Sequence, residues 1–267
     1  MFKIAAIQMC SSSEVASNLK AAALWIKKAA QQKAQLLVLP EMFACLGSDK
    51  FAVREPFGQG PIQTFLSTQA KTNKVWIVGG TIPIVSNDKS KAACLVFDDR
   101  GNLRAHYDKI HLFDVTLSAT ESYRESETTE SGDRVVVFDT PFARIGLAVC
   151  YDLRFPELFR CLWSRGAELI IVPAAFTVKT GKAHWKLLAR ARAVENFCYF
   201  VGACQAGIHS NGRETFGHSL IVEPWGRVIA EKKQNTAGII YAYFDRQAIT
   251  SARTAIPIQD HVQAKYS

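Results

Sequence analysis

Short runs rich in Val, Ile, Leu and Phe recur along the whole chain: "FKIAAIQM", "AQLLVLPE", "VWIVGGTIP", "AACLVFDD", "RIGLAVCYD", "AELIIVPAA", "CYFVGACQ", "SLIVEPWG" and "GIIYAYFD". Their length and their Gly, Pro and Asp borders are those of β-strands. Between several of them the apolar positions change to a helical period. Residues 14–33 set Val15, Leu19, Ala22, Ala23 and Ile26 on one face, and helices are also predicted over about 61–73, 157–166 and 183–197. Strands that are apolar almost throughout must be covered on both faces, because a strand with one wet face alternates. Nine such runs strain a single open sheet. The pattern therefore predicts an α/β fold with two sheets stacked face to face and helices outside them, a four-layer α-β-β-α sandwich. No linker or low-complexity stretch divides residues 1–267, so one domain is expected, with the polar "TESYRESETTESGD" at 120–133 as a surface loop.

A chain that is 48% hydrophobic can fill a large core. No stretch approaches the roughly 18 uninterrupted apolar residues of a membrane span. The opening "MFKIAAIQMC" lacks the basic patch and long apolar segment of a signal peptide, so a cytoplasmic location without a membrane partner is expected. Lys and Arg number 32 against 24 Asp and Glu, a net charge of +8. The charges are dispersed, with "KK" pairs at 27–28 and 232–233 as the densest runs, so no phosphate-tracking stripe and no nucleic-acid partner is expected. A small acidic substrate remains compatible with the charge. The seven cysteines are odd in number and mostly sit in apolar runs, unlike a secreted disulfide framework. With no CxxC pair and no HExxH, neither a metal site nor a cofactor is expected.

Three segments carry polar residues where chemistry could be placed. Glu41 follows the run "LLVLP", Lys109 stands among aromatic and aliphatic residues in "HYDKIHLFD", and Cys150 closes "GLAVC". Ligands of open α/β sheets gather at the carboxyl ends of strands, which suits Glu41 and Cys150. Taken singly, each has an ordinary explanation: a capping carboxylate, a lysine reaching to water, a packing cysteine. Together they form an acyl-transfer set. A thiol needs a base or a cationic neighbour to react near neutrality, a buried carboxylate can be that base, and a lysine can stabilise an oxyanion.

The segments "LPEMF", "DKIHLFD" and "GLAVCYDLRFPEL" resemble, in order and separation, the three catalytic segments of the nitrilase superfamily of carbon–nitrogen hydrolases, and the resemblance runs from about residue 2 to about 255. It implies that Glu41 is the general base, Lys109 the stabiliser of the tetrahedral intermediate and Cys150 the nucleophile. The backbone N–H of Tyr151 would be the second oxyanion donor, and Glu125 in "YRES" a second glutamate beside the lysine. Cys150 would sit on a strand-to-turn elbow that exposes the thiol. Members usually pair across a two-fold axis, so at least a homodimer is implied.

"YDLRFPEL", "GKAHWKLLARARAVEN" and "GHSLIVEPWG" are similar to the branch containing deaminated glutathione amidase and omega-amidase, whose substrates are small anionic 2-oxo acid amides. The segment 204–219 is slightly more similar to the former, which makes deaminated glutathione the expected substrate and 2-oxoglutaramate the alternative. Nitrile hydrolysis uses the same three residues, and a silent binding protein of the same fold is the non-enzymatic alternative. Arg154 is the first candidate for binding a substrate carboxylate, through a bidentate guanidinium, and its structural alternative is an ion pair with Asp152 or Glu157. Phe176 and Thr180, after a predicted strand, are expected to line the pocket. Lys186 stands where members of the resembled branch often carry an acidic residue, a departure expected to bear on substrate identity and not on catalysis. His209 and His218, separated by Gly212 and Gly217, fit a loop role better than a ligand pair.

Overall fold

The computed structural model describes residues 1–47 and 53–263. The first half of the chain lays down β1 (Phe2–Gln8), α1 (Val15–Gln31), β2 (Leu36–Val38), α2 (Pro61–Asn73), β3 (Trp76–Val78), β4 (Ile82–Ser86), β5 (Lys89–Phe97) and β6 (Leu103–Asp108). A hairpin of β7 (Asp114–Ser118) and β8 (Glu121–Arg124) follows. The second half repeats the plan with β9 (Val137–Asp139), β10 (Arg144–Leu147), α3 (Pro156–Ser164), β11 (Leu169–Ala174), α4 (Val178–Thr180), α5 (Lys186–Asn196) and β12 (Tyr199–Cys204). After the hairpin of β13 (Ala206–Ile208) and β14 (Glu214–Phe216) come β15 (Leu220–Val222), β16 (Val228–Glu231), β17 (Gly238–Phe244), α6 (Arg246–Ala255) and α7 (Ile258–His261).

One sheet has the order β17-β1-β2-β3-β5-β4, with β6 also paired to β5, and the other β16-β15-β12-β11-β10-β9. Within each, three central strands are parallel: β1, β2 and β3, then β10, β11 and β12. The period-2 geometry of a strand sorts their side chains. Ile4, Ala6, Leu36, Val38, Trp76 and Val78 enter a core shared with Ile145, Leu147 and Ile171 of the second sheet. The intervening Ala5, Ile7, Leu37 and Ile77 meet Ala22, Ile26 and Ala29 of α1 and Ile62, Leu66 and Ala70 of α2. Each such buried Leu or Ile contributes about 1.5–3 kcal/mol. On the far side Leu158, Phe159 and Leu162 of α3 with Ala189 and Ala193 of α5 cover the second sheet. The four-layer α-β-β-α order expected from the sequence is the one observed.

The four expected helices form, with local adjustments. α2 opens with Pro61 at its first turn, where the missing N–H costs nothing, and the Glu55 carboxylate accepts from the N–H groups of Ile62 (2.6 Å) and Gln63 (3.2 Å). The stretch expected as one helix over 183–197 is an α-helix only from Lys186, preceded by a wider turn over Gly181–Trp185 whose Trp185 is buried and donates to the His218 carbonyl at 2.8 Å. Helix α6 has no counterpart in the sequence expectations, although Asp245 caps it by accepting from Gln247 N–H at 3.0 Å. The strands beyond the expected nine are short, three to six residues each. The segment 120–133 is not a plain surface loop: it begins as β8 and then turns inward at Glu125, because a buried cation and a backbone N–H need that carboxylate.

Candidate active site

Glu41 lies three residues beyond β2, where Pro40 ends the ladder, and its side chain is 2% exposed. Met42 follows at φ +54°, a left-handed conformation that turns the chain sharply, and its N–H donates to Thr81 Oγ1 at 3.0 Å. The close approach behind this turn requires Gly80, since a Cβ there would stand 2.0 Å from the Pro40 carbonyl oxygen. Gln205, just past β12 of the other sheet, donates to the Glu41 carbonyl at 3.0 Å. Both sheets therefore fix the position of one carboxylate.

Lys109 follows β6. Its N–H is held by the Ala92 carbonyl at 3.0 Å and its carbonyl by Gly132 N–H at 2.8 Å, and its side chain is as buried as that of Glu41. Nζ donates to Glu41 Oε1 at 2.9 Å and to Glu125 Oε2 at 2.8 Å. Phe113 N–H donates to the same Glu125 oxygen at 2.8 Å. Burial by itself would push the lysine down, but Glu125 and then Glu41 outweigh it, and the ammonium is held well above its ordinary range.

Cys150 opens a tight 3-10 turn, Cys150–Arg154, at the carboxyl end of β10 and adopts φ +46°. A non-glycine residue held there carries strain of about 1–3 kcal/mol, which the surroundings must enforce. The enforcement is visible. Asp152, 0% exposed, accepts from Val149 N–H (2.8 Å), Tyr107 O–H (2.7 Å), His111 N–H (2.9 Å) and His111 Nδ1 (2.7 Å). Arg192 of α5 donates to the Leu153 carbonyl through Nε (3.0 Å) and Nη2 (2.8 Å). Ala175 N–H, beyond the end of β11, points at the thiol at 3.5 Å. Burial raises the thiol well above its ordinary range and the neighbouring Glu41 raises it further, while Lys109 and the Ala175 N–H pull against them. On balance these influences favour the thiol over the thiolate at rest.

Glu41, Lys109, Glu125, Cys150, Tyr151, Arg154, Phe176 and Thr180 all line one cavity of about 290 Å³, so the structure brings together every site residue singled out in the sequence. Arg154 makes no ion pair with Asp152 or Glu157. The Asp152 oxygens are occupied as described, and the guanidinium instead stands against the rings of Tyr151 (5.7 Å) and Phe176 (5.8 Å), with His184 Nδ1 at 3.3 Å. Lys186 does not face the cavity. It reaches Glu231 at 2.8 Å on the outer surface, so the effect on substrate expected at this position is not through contacts in the cavity. His209 is buried, with Nδ1 at 2.8 Å from the Ser11 carbonyl and Nε2 at 2.8 Å from Thr215 Oγ1; burial lowers its basicity. Because a carbonyl only accepts, Nδ1 carries the proton. His218 stacks on Phe216 and meets Glu231, away from His209.

Two contributors escaped the sequence. Arg213 lines the cavity from the β13–β14 connection, and in "HSNGRETF" nothing distinguishes it from a solvated turn residue. Asp152 carries no local mark of being the acceptor on which the nucleophile turn closes. Among the described residues no cluster of three His, Cys, Asp or Glu side chains is placed to hold a metal, and no helix is long and apolar enough to cross a membrane. Arranged as it is, the site can deprotonate a thiol, present it to an electrophilic carbon and stabilise the oxygen on which charge develops.

Comparison with known proteins agrees with this chemistry. The carbon-nitrogen hydrolase family matches residues 3–254. The deaminated glutathione amidase of Yersinia enterocolitica is 38% identical over 265 residues, covering 97% of this chain and 92% of the relative. The omega-amidase NIT2 of Homo sapiens is 38% identical over 258 residues, covering 96% and 93%. Among solved structures, the C. elegans NitFhit protein superposes with a TM-score of 0.91 at 33% identity, covering 100% of this chain and 66% of that longer one. Saccharomyces cerevisiae Nit3, a member of branch 10 of the nitrilase superfamily, gives 0.87 at 36% identity, covering 96% and 94%.

Proposed function

The chain belongs to the carbon–nitrogen hydrolase family, and from that premise we propose that it is a cysteine-dependent amidase that cleaves a small carboxylated 2-oxo acid amide through a thioester on Cys150. The observation that carries the reading is the Lys109 ammonium clasped between Glu41 and Glu125 in the same cavity as a cysteine held at positive φ. Glu41 takes the thiol proton as sulfur attacks the amide carbon. The carbonyl oxygen, now an anion, is received by Lys109 Nζ and the backbone N–H of Tyr151. When the C–N bond breaks, Glu41 returns the proton to the departing amine. A water molecule, deprotonated by the same carboxylate, then hydrolyses the thioester and releases the acid. Glu125 holds Lys109 in line and keeps it charged.

Arg154 receives the substrate carboxylate at the end of the cavity walled by Phe176 and Thr180. The acyl group is that of a 2-oxo acid, with deaminated glutathione as the substrate, in keeping with the Yersinia relative. The human relative is equally similar, and its name favours a 2-oxo acid primary amide as the second reading. Within this reading the enzyme works in the cytoplasm, without metal, cofactor or nucleic acid, as a homodimer or larger homo-oligomer. The exposed Leu187, Val194 and Trp225 near the outer face of α5 support such pairing.

The test is direct. Incubation with deaminated glutathione or 2-oxoglutaramate, quenched in acid, should leave the 2-oxoglutaryl mass on the peptide containing Cys150. Turnover with no adduct at any quench time, and equal turnover by Cys150→Ala, would refute the thioester. The order of kcat/KM between the two compounds decides between the two substrate readings.

A further inference from the structure

Three arginines line the cavity, Arg124, Arg154 and Arg213; Arg124 is exposed and its guanidinium donates to the Val115 and Tyr123 carbonyls, and the setting of Arg213 differs from that of Arg154. Arg213 Nη2 donates to the Ala175 carbonyl at 2.8 Å, and the guanidinium stands 5.3 Å from the centre of the Tyr123 ring. Among the described residues its buried Nε has no hydrogen-bond partner and no carboxylate pairs with it. Ala175 accepts from Arg213 through its carbonyl, and its own N–H, one peptide group earlier, points at the Cys150 thiol. One residue thus separates this cation from the reacting sulfur. An arginine that lines a cavity, is fixed through one nitrogen and lacks a counter-charge is arranged to bind an anion.

Arg154 and Arg213 reach the cavity from different segments. Arg154, on the turn of Cys150, stands against Tyr151 and Phe176, whereas Arg213, from the β13–β14 connection, stands against Tyr123, with its backbone N–H on Asn211 Oδ1 at 3.1 Å. An amide has two sides and the thiol attacks between them. With Arg154 given to the acyl side, which stays on the enzyme as the thioester, Arg213, on a different segment and without a counter-charge, is left for the side that departs. We propose that Arg213 is a specificity-determining residue that receives a carboxylate carried by the leaving amine, so that the site favours substrates anionic on both sides of the scissile amide. The assignment rests on the amidase reading above and adds the recognition of the leaving group. A primary amide, which releases ammonia, offers Arg213 nothing. A 2-oxo acid joined to a peptide with a free carboxyl terminus offers it a full charge.

The experiment compares three substrates that share the 2-oxoglutaryl group: deaminated glutathione, its carboxyl-terminal carboxamide and 2-oxoglutaramate. The wild-type enzyme should prefer the carboxylate over the carboxamide by about tenfold or more in kcat/KM, the scale of a lost charge-assisted contact. Arg213→Met should bring the two within about threefold of each other, whatever it does to their common level, and Arg213→Lys should keep part of the preference because the charge remains but the fork is lost. Absence of the preference in the wild type would overturn the assignment. So would Arg213→Met lowering both substrates in parallel with the ratio intact, since that is the signature of an arginine acting only through Ala175. Failure of the wild type on all three, the primary amide included, would bring down the amidase reading and this assignment with it.

Discussion

Two buried carboxylate systems adjoin Cys150, and they are satisfied in opposite ways. At Lys109 a charge is met by charges: one ammonium lies within 2.9 Å of two carboxylates, and all three groups face the cavity. At Asp152 a charge is met by donors already fixed in the fold: two backbone N–H groups, a phenol and an imidazole, none of them reaching the cavity through Asp152 itself. The first arrangement leaves an excess negative charge next to a thiol and open to a reacting group, so a proton can arrive and leave. The second has its acceptor positions filled and its carboxylate sealed away, so it positions and does nothing else. Burial of a charge does not identify a catalytic group; what distinguishes one is whether its partners and its access let the charge change during the reaction.

The largest effect expected from this contrast is at the thiol. Cys150→Ala should abolish ammonia or amine release while thermal unfolding stays near wild type, because a methyl group replaces a small thiol in a site held by other residues. Retained release would end the nucleophile assignment. Cys161→Ala, on α3 and outside the cavity lining, is the control for general damage.

Next come the members of the charged cluster. Glu41→Gln should slow acylation by about 100-fold or more, since it keeps the shape and removes the proton acceptor. Lys109→Met should be comparably damaging to turnover and should also cost about 3–5 kcal/mol of stability, because two carboxylates lose their buried cation. Stopped-flow acylation and urea unfolding separate the two losses. A Lys109→Met enzyme that loses only affinity for substrate, with kcat unchanged, would contradict the oxyanion role.

The pH dependence of the thiol sharpens the same point. Since burial and Glu41 raise Cys150 well above its ordinary range, iodoacetamide modification of this residue should still be rising at pH values beyond about 8.5, where a free thiol is half ionised. Peptide mapping of the alkylated protein would show it. Half-maximal labelling below that pH would mean that Lys109 dominates and the resting state is a thiolate.

On the Asp152 side the expected effect is on stability. Asp152→Asn should cost about 2 kcal/mol, the scale of weakened hydrogen bonds to a charged acceptor, and should lower kcat without moving either limb of the pH–rate profile. A displaced limb would place Asp152 in proton transfer and break the comparison. Smallest of all, Lys186→Ala should change stability by no more than about 1 kcal/mol, as for other exposed ion pairs, and leave kcat/KM as it was.

Hydrophobic periodicity is a local signal: whether a strand is apolar throughout, or a helix on one face, depends on neighbours along the chain. The sequence by itself therefore determined the central strands, four of the helices, the two-sheet sandwich and, through residue type at segment ends, Glu41, Lys109 and Cys150. Short polar elements such as β7 and β8 bury too little apolar surface to leave that signal, which is why 120–133 read as a loop. Only the tertiary structure decided that Glu125 turns inward to Lys109, that Asp152 serves the nucleophile turn and not Arg154, that Lys186 faces outward, and that Arg213 enters the cavity. Lys109 meets a carboxylate 68 positions away and Arg213 a carbonyl 38 positions away. The partner of a charged side chain is chosen by which distant segments the fold closes together, and no spacing along the chain encodes that closure.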